Sequence, residues 1–343
     1  MDRKRGVLLT LSAALLLASS VVFFPVAKTF LFAATLSVVL VPPMAKLETK
    51  LWGTAGGPKR RILLAMVFTL STLLGLFLAV GLVVFIFIRN FQVLQEFGTR
   101  VAAWVESTAT SLFGTTMDLQ ARAGESLDQF LGYAQDTFVA TAGALVDIII
   151  FTSVLYFFLH HGPRLRRAIR EALPTSERAL FDRFAGVTHS SLFAIYVVHM
   201  ATALITVVLA LPFFYLIGFE EHLFFWSLLC GGFQLIPVLG PSMIMIGIAI
   251  FSFAQGENLT AVLVLSIGYP FVGGFPDLVI RPLLLRGEMK LNAAILILGF
   301  FAGIVSMGII GFVLGPLLLK LLVEALQVTQ EALAESVPSQ PNH

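Results

Sequence analysis

The sequence predicts an all-α polytopic membrane protein of about six full spans plus two Pro/Gly-broken helical hairpins in an inverted-repeat arrangement. Three observations predict it. Of the 343 residues, 58% are hydrophobic and only 12% charged, about half the charged share of a soluble domain. Apolar runs recur from residue 7 to residue 327, many of them near the ~20 residues that cross a bilayer as a helix. Finally, Val238-Leu239-Gly240-Pro241 returns as Val313-Leu314-Gly315-Pro316, each copy near the middle of a pair of short apolar arms.

Taken in order, the first three transmembrane helices occupy residues 1–88, with spans at 7–24, 29–44 and 62–88. MDRKR followed by GVLLTLSAALLLASS imitates a secretory signal peptide, but a second apolar run follows at once, so the segment reads as an uncleaved first helix. Residues 89–138 alternate charged and apolar positions at helical spacing, with Leu127, Phe130, Leu131, Ala134 and Phe138 on one face. They predict external amphipathic helices lying against the membrane or a neighbouring subunit. Residues 139–190 hold the fourth span (139–159) and a basic segment whose apolar face is Leu165, Ile169, Leu173, Leu180 and Phe184, divided at Pro174. Such a segment lies at the inner headgroups or forms a solvated linker. A transport domain is expected over 191–327, and a disordered tail over 328–343.

Orientation follows from Lys and Arg. The N-terminus, the loops 45–61, 160–185 and 278–292, and Lys320 together hold 18 of the 22 basic residues. That face is predicted to be cytoplasmic, with both termini inside the cell membrane. The opposite face has the turns GFEEH (218–222) and GEN (256–258), which contain no Lys or Arg.

Within 191–327, a span at 191–217 is followed by arms 223–239 and 241–255, and a span at 259–277 by the run 293–327. The last run is too long for one span and divides near Gly308–Pro316. Pro237, Gly240 and Pro241 interrupt the first pair of arms, because Pro lacks a backbone donor and Gly relaxes the chain. Unpaired backbone groups cannot face lipid. Two hairpins whose tips meet near the midplane would shelter them, as broken helices do in secondary transporters. The alternative is two ordinary kinked helix pairs.

Ionisable groups at membrane depth are costly and have a partner or a task. Asp277 and Arg281 lie in GGFPDLVIRPLLLRG (273–287). Gly273, Gly274 and Pro276 loosen the helix, and Pro282 is expected to push Arg281 out of the α region, so the two pair across a distorted turn. The pair is either structural or binds and gates a solute, proton or cation. Asp147 is a partnered carboxylate or a proton/cation site, and His199 a packing histidine or an ion site. Gln234, one turn before Pro237, suits a polar solute or caps loose backbone. Lys28 snorkels to the outer interface.

Four segments resemble the autoinducer-2 exporter family: FFLHHGPRLRRAIREALP (157–174), GGFQLIPVLGP (231–241), DLVIRPLLLRG (277–287) and GIIGFVLGPLLLKLL (308–322). The resemblance implies a homo-oligomeric secondary transporter that exports a small hydrophilic signalling molecule or, in some members, exchanges Na⁺ or Li⁺ for protons. It carries the family's Pro-x-x-Gly break onto Pro237 and Gly240. The acidic–Pro pattern falls on Asp277 and Pro282, and the last Gly-rich hairpin on Gly308, Gly311, Gly315 and Pro316. This chain departs at Gln234, where many relatives have Asn, and at His160–His161, where they have an acidic residue nearby.

The leading expectation is therefore a secondary transporter, with Pro237, Gly240, Pro241, Gly315 and Pro316 shaping the site and Gln234, Asp277 and Arg281 lining it. Antiport of monovalent cations and an oligomeric channel are the alternatives. No Walker motif, HExxH or metal-spaced Cys/His set occurs, and Cys230 is the single cysteine, so no ATP, cofactor, metal or internal disulfide is expected. Asp147 and Asp277 lack the GxGD setting of an intramembrane protease, which disfavours an enzyme. A net charge of +2 gives no reason to expect nucleic acid.

Overall fold

The computed structural model describes residues 26–53, 57–114, 118–139, 141–235, 240–285 and 293–336. The expected span 7–24 and residues 337–343 of the tail lie outside them; residues 328–336, expected to be disordered, are instead the end of the last helix. Among the described residues every regular element is helical. Six helices are long and apolar enough to cross a membrane: Ala27–Trp52, Lys59–Arg89, Leu145–Ala172, Thr175–Leu216, Asn258–Leu284 and Ile310–Ala334. The chain forms two compact units. The first holds the described residues up to Ser71, Ala142–Leu192 and those from Leu298 onward; the second holds Thr72–Thr141 and Phe193–Ile297.

In chain order, α1 is Ala27–Trp52, α2 Pro58–Arg89, α3 Phe91–Phe113 and α4 Leu119–Val139. Helix α5 (Thr141–Ala172) has 32 residues and is about 48 Å long, well beyond the ~30 Å hydrocarbon core. Residues 164–172 therefore continue the spanning helix and do not form a separate segment in the headgroup plane. The reason is local: Pro163 removes one donor but leaves the rest of the ladder intact. The break falls at Pro174, and α6 (Thr175–Phe193) restarts the helix. Arg170 Nε donates to Asp182 Oδ2 at 2.9 Å, tying α5 to α6.

The first unit also contains most of the last hairpin, α12 (Ala293–Met307) and α13 (Ile309–Ser336), which turns at Gly308 with φ +69°. Past the turn the two backbones touch: a Cβ at Gly303 would overlap the carbonyl of Gly311, and the reverse. One turn on, a Cβ at Gly299 would come 2.8 Å from Pro316 Cα. Gly315 and Pro316 thus lie inside a continuous helix. The last run, expected to divide near Gly308–Pro316, turns at Gly308; the second Val-Leu-Gly-Pro is not itself broken, and its arm is a 28-residue helix, not a short one. Pro316 is tolerated because its backbone is pressed against Gly299 instead of lipid. At the far end, Arg183 of α6 grips Glu324 (2.7 Å) and Glu331 (2.6 Å) of α13.

The second unit is built around α7 (His199–Leu216), the hairpin α8 (Leu223–Phe233) and α9 (Ser242–Ala254), and α10 (Asn258–Leu263). Phe213, Phe214, Phe225, Trp226, Met245 and Ile248 are the large side chains of its core. Helix α3 packs on this hairpin: Phe97 stands edge-on to Trp226, with ring centroids 4.9 Å apart, and also meets Phe251. The expectation that 89–138 lies only against membrane or a neighbour is corrected for α3, whose Val93, Leu94 and Phe97 join the core. In α4, the side chains of Leu127, Phe130, Leu131, Ala134 and Phe138 lie outside what the structure describes.

Candidate functional site

Three wide helical turns shape one region of the second unit. Residues Ala194–Val198, Val264–Gly274 and Pro276–Ile280 wind as π-helix, a form that shifts side chains off the regular helical face and is frequent at functional sites. The cause is legible locally. Pro270 and Pro276 each remove an amide donor, and the Gly273–Gly274 pair resists distortion least. The 276–280 turn packs on α7, and the 194–198 turn on α11 (Arg281–Leu285).

Opposite these turns, the α8–α9 hairpin loses its helix. Helix α8 ends at Phe233, Gln234 is its C-cap, and α9 restarts after Pro241. Gly240 adopts φ +38°, in the left-handed region that favours glycine. A Cβ there would meet Asp277 Oδ2 at 3.7 Å and Gln234 Oε1 at 3.8 Å. Pro237 lies outside the described residues. Pro241 is buried at the α9 N-cap.

The polar groups meet across this gap. Gln234 is fully buried, and its Nε2 donates to Asp277 Oδ1 at 2.5 Å. Arg281 Nη2 stands 3.1 Å from the same oxygen. It is close enough for an ion pair but not aligned for a hydrogen bond, since Nη2 and Nε are both buried without a hydrogen-bond partner among the described residues. Gln234 Oε1 is likewise buried with no donor among them. Each unsatisfied buried group costs roughly 1–3 kcal/mol, more when charged. Among the described residues an acceptor and a guanidinium are thus left wanting on either side of Asp277, whose side chain stays 31% exposed.

The structure thus brings together Gln234, Gly240, Asp277 and Arg281. The Asp277–Arg281 pair forms as expected, but Arg281 keeps helical φ and ψ of −60° and −48°. The distortion comes from the wide turn, and Pro282 does not expel Arg281 from the α region. Pro282 itself is exposed. His199 is buried, with Nδ1 3.0 Å from the Ala194 carbonyl. That carbonyl also accepts the His199 amide, so the ring helps close the wide turn. Asp147 accepts a 2.6 Å hydrogen bond from Thr29 in the first unit, to which Gly315 and Pro316 also belong. Sequence reasoning missed Ser242, whose Oγ sits 3.2 Å from where a Gly273 Cβ would be. The Gln234–Asp277 bond was also unforeseen; two polar residues beside Pro/Gly breaks were its only signal.

At the other end of the hairpin, the turns 218–222 and 256–258 border a cleft of about 770 Å³ whose lining includes Glu96, Glu220, Glu221 and Glu257 and, among the described residues, no Lys or Arg.

Comparison with known proteins gives consistent results. Residues 10–331 match the family model described as "AI-2E family transporter". A "Putative transport protein" of Methanothermobacter thermautotrophicus is 28% identical over 313 residues, 90% of this chain and 91% of that protein. Similarly named proteins of Methanocaldococcus jannaschii (25% identical, 56% of this chain and 58% of that one) and Helicobacter pylori (24%, 54% of each) match over shorter stretches. For those two relatives the match spans a little over half their length.

Proposed function

The chain belongs to the AI-2E family of transporters, and from that premise we propose that it is a secondary transporter moving a small hydrophilic solute across the cytoplasmic membrane. One observation carries this reading: among the described residues Gln234 Oε1, which faces Gly240, lacks a donor, while Arg281 Nε and Nη2, beside Asp277, lack an acceptor. A solute bearing both hydroxyl donors and oxygen acceptors satisfies both needs at once. Asp277 is the pivot. Its Oδ1 accepts from Gln234 and faces Arg281 as an ion pair, and a solute hydroxyl that binds Oδ2 competes with neither contact.

The working cycle follows from broken-helix transport. In it the gap between Gln234 and Ser242 opens first to one side of the membrane and then to the other. Both termini face the cytoplasm, as the Lys/Arg asymmetry indicates, and the protein works as a homo-oligomer. An ion gradient or the solute's own gradient drives it.

A second reading, antiport of Na⁺ or Li⁺ against protons, has its own support. Asp277 Oδ2 and Gln234 Oε1 both face Gly240, and oxygens are the ligands hard cations select. The acidic cleft at the far end of the hairpin would raise the local cation concentration.

Purified protein in liposomes distinguishes these readings. Loaded with a labelled polyhydroxylated solute and a pH dye, the vesicles are expected to show saturable efflux accelerated by the same solute outside, and to lose it with Asp277→Asn. A proton signal on adding Na⁺ or Li⁺, without solute movement, would instead establish antiport. Flux without saturation or counterflow would mark a channel and overturn both.

A further inference from the structure

The first unit holds a second group of buried, unsatisfied polar atoms, made of residues that the transport site does not use. Its position follows from helix lengths. Helix α1 ends at Trp52 and α2 begins at Pro58, so the short connection sets Glu48 beside Arg61, 4.0 Å apart. In α5, the twenty residues from Thr141 cover about 30 Å at 1.5 Å each, the thickness of the hydrocarbon. His160 and His161 therefore stand at the edge of the bilayer, on the Lys/Arg-rich face, just before Arg164.

The group is firmly held. Arg61 Nε donates to the His160 carbonyl at 3.2 Å. The His160 ring stacks on Tyr156, 3° from parallel, and the His161 ring on Phe157 at 4.9 Å. The two imidazoles meet edge to face at 4.4 Å. His160 is only 8% exposed. Yet Arg61 Nη2, His160 Nδ1 and His161 Nδ1 are all buried with no hydrogen-bond partner among the described residues. Glu48 does not satisfy them, because it faces Nη1 from beyond hydrogen-bond distance.

We propose that Arg61, His160 and His161 form a binding site for a phosphate-bearing anion at the membrane edge. Three nitrogens without a partner among the described residues, each able to carry a proton, come from two helices that Arg61 ties together at His160. A phosphate group offers enough acceptor oxygens for all of them, and Arg is the side chain best matched to its geometry. A basic recess between spanning helices at the headgroup level is also where anionic lipid heads are taken up. Arg164 adds positive charge alongside. The ligand is either a phospholipid headgroup or a soluble phosphate, and the same chemistry serves both.

The test uses the full chain and three variants. His160→Phe/His161→Phe keeps the ring stacking while deleting two donors; Arg61→Gln deletes the fork; Arg61→Lys keeps the charge without the fork. In the lipid arm, detergent-purified protein is given phosphatidylglycerol or phosphatidylcholine, and retained lipid is counted by native mass spectrometry. In the soluble arm, inorganic phosphate is titrated against protein in phosphatidylcholine nanodiscs and followed by phosphorus NMR line broadening. A headgroup site predicts preferential retention of phosphatidylglycerol, weakened about tenfold by Arg61→Gln and by the double Phe variant, the size of one charge-assisted hydrogen bond. Arg61→Lys is expected to fall between. A soluble-phosphate site predicts line broadening that the same variants abolish. The double Phe variant, whose melting temperature should match the parent, guards against loss by misfolding. Equal retention of both lipids together with no phosphate broadening, or binding that the double Phe variant leaves unchanged, would overturn the proposal.

Discussion

In the α8–α9 hairpin the chain leaves the helix at Gln234 and re-enters it at Ser242, and an amide, a carboxylate and a guanidinium gather beside the gap. In the α12–α13 hairpin it turns at Gly308, and glycine backbones at Gly303 and Gly311 close on each other. Both stretches are rich in Gly and Pro, yet the residues do opposite work. In the first, Gly240 and Pro241 lie where the helix has ended, beside the buried Gln234 amide. In the second, glycines remove side chains so that two helices touch, the small-residue packing that holds helices together where lipid gives no hydrophobic drive. A Gly-Pro pair inside a membrane is therefore not by itself a break. It becomes one where neighbouring polar side chains, here Gln234 and Asp277, take over what the backbone has lost.

Four substitutions sharpen this contrast, ordered by their expected effect on transport. Gly303→Leu should be the most damaging. Its side chain has no room against the Gly311 carbonyl, so it should cost about 4 kcal/mol or more and abolish both thermal stability and flux. Asp277→Asn keeps an acceptor for Gln234 but strips Arg281 of its counter-charge. Proteoliposome flux should fall about 100-fold, the scale of unpairing a buried charge, while the melting temperature moves far less than in Gly303→Leu. Gly240→Ala meets only ordinary contacts, but its left-handed backbone should cost about 1–2 kcal/mol and lower flux about tenfold. Pro316→Ala should do least. It restores one helical donor in α13, so stability should hold or rise and flux stay within about twofold. Equal loss of flux in Gly240→Ala and Pro316→Ala would erase the difference between the hairpins.

Much of the fold follows from periodicity and composition. The spans 29–44, 62–88, 139–159, 191–217 and 259–277 all fall on helices, somewhat longer than expected. The extra length comes from charged ends that carry no apolar signal, as in residues 164–172 of α5. The first hairpin's break was legible because Pro237, Gly240 and Pro241 fall within five residues. The second turn falls at Gly308, the first residue of the expected range Gly308–Pro316, but the repeat at Gly315–Pro316 stays helical, because a four-residue repeat says nothing about what lies opposite. The close approach of Gly299 to Pro316 makes that segment a helix, and such an approach appears only in three dimensions. In the candidate site, Asp277 and Arg281 are one helical turn apart and could be paired from spacing. Gln234 reaches Asp277 from another helix, which spacing cannot predict. Phe97 of α3 was likewise one apolar position among several until it met Trp226 and Phe251.

The central claim is that the gap between Gln234 and Ser242 faces each side of the membrane in turn. It is tested most directly by placing one thiol beside the gap. Ser242→Cys is nearly isosteric, and Cys230→Ser removes the buried native thiol. In oriented vesicles, a membrane-impermeant thiol reagent applied to either face should modify the residue from both sides, and added solute should slow both reactions. A thiol reached from one face only, whatever solute is present, would contradict the account.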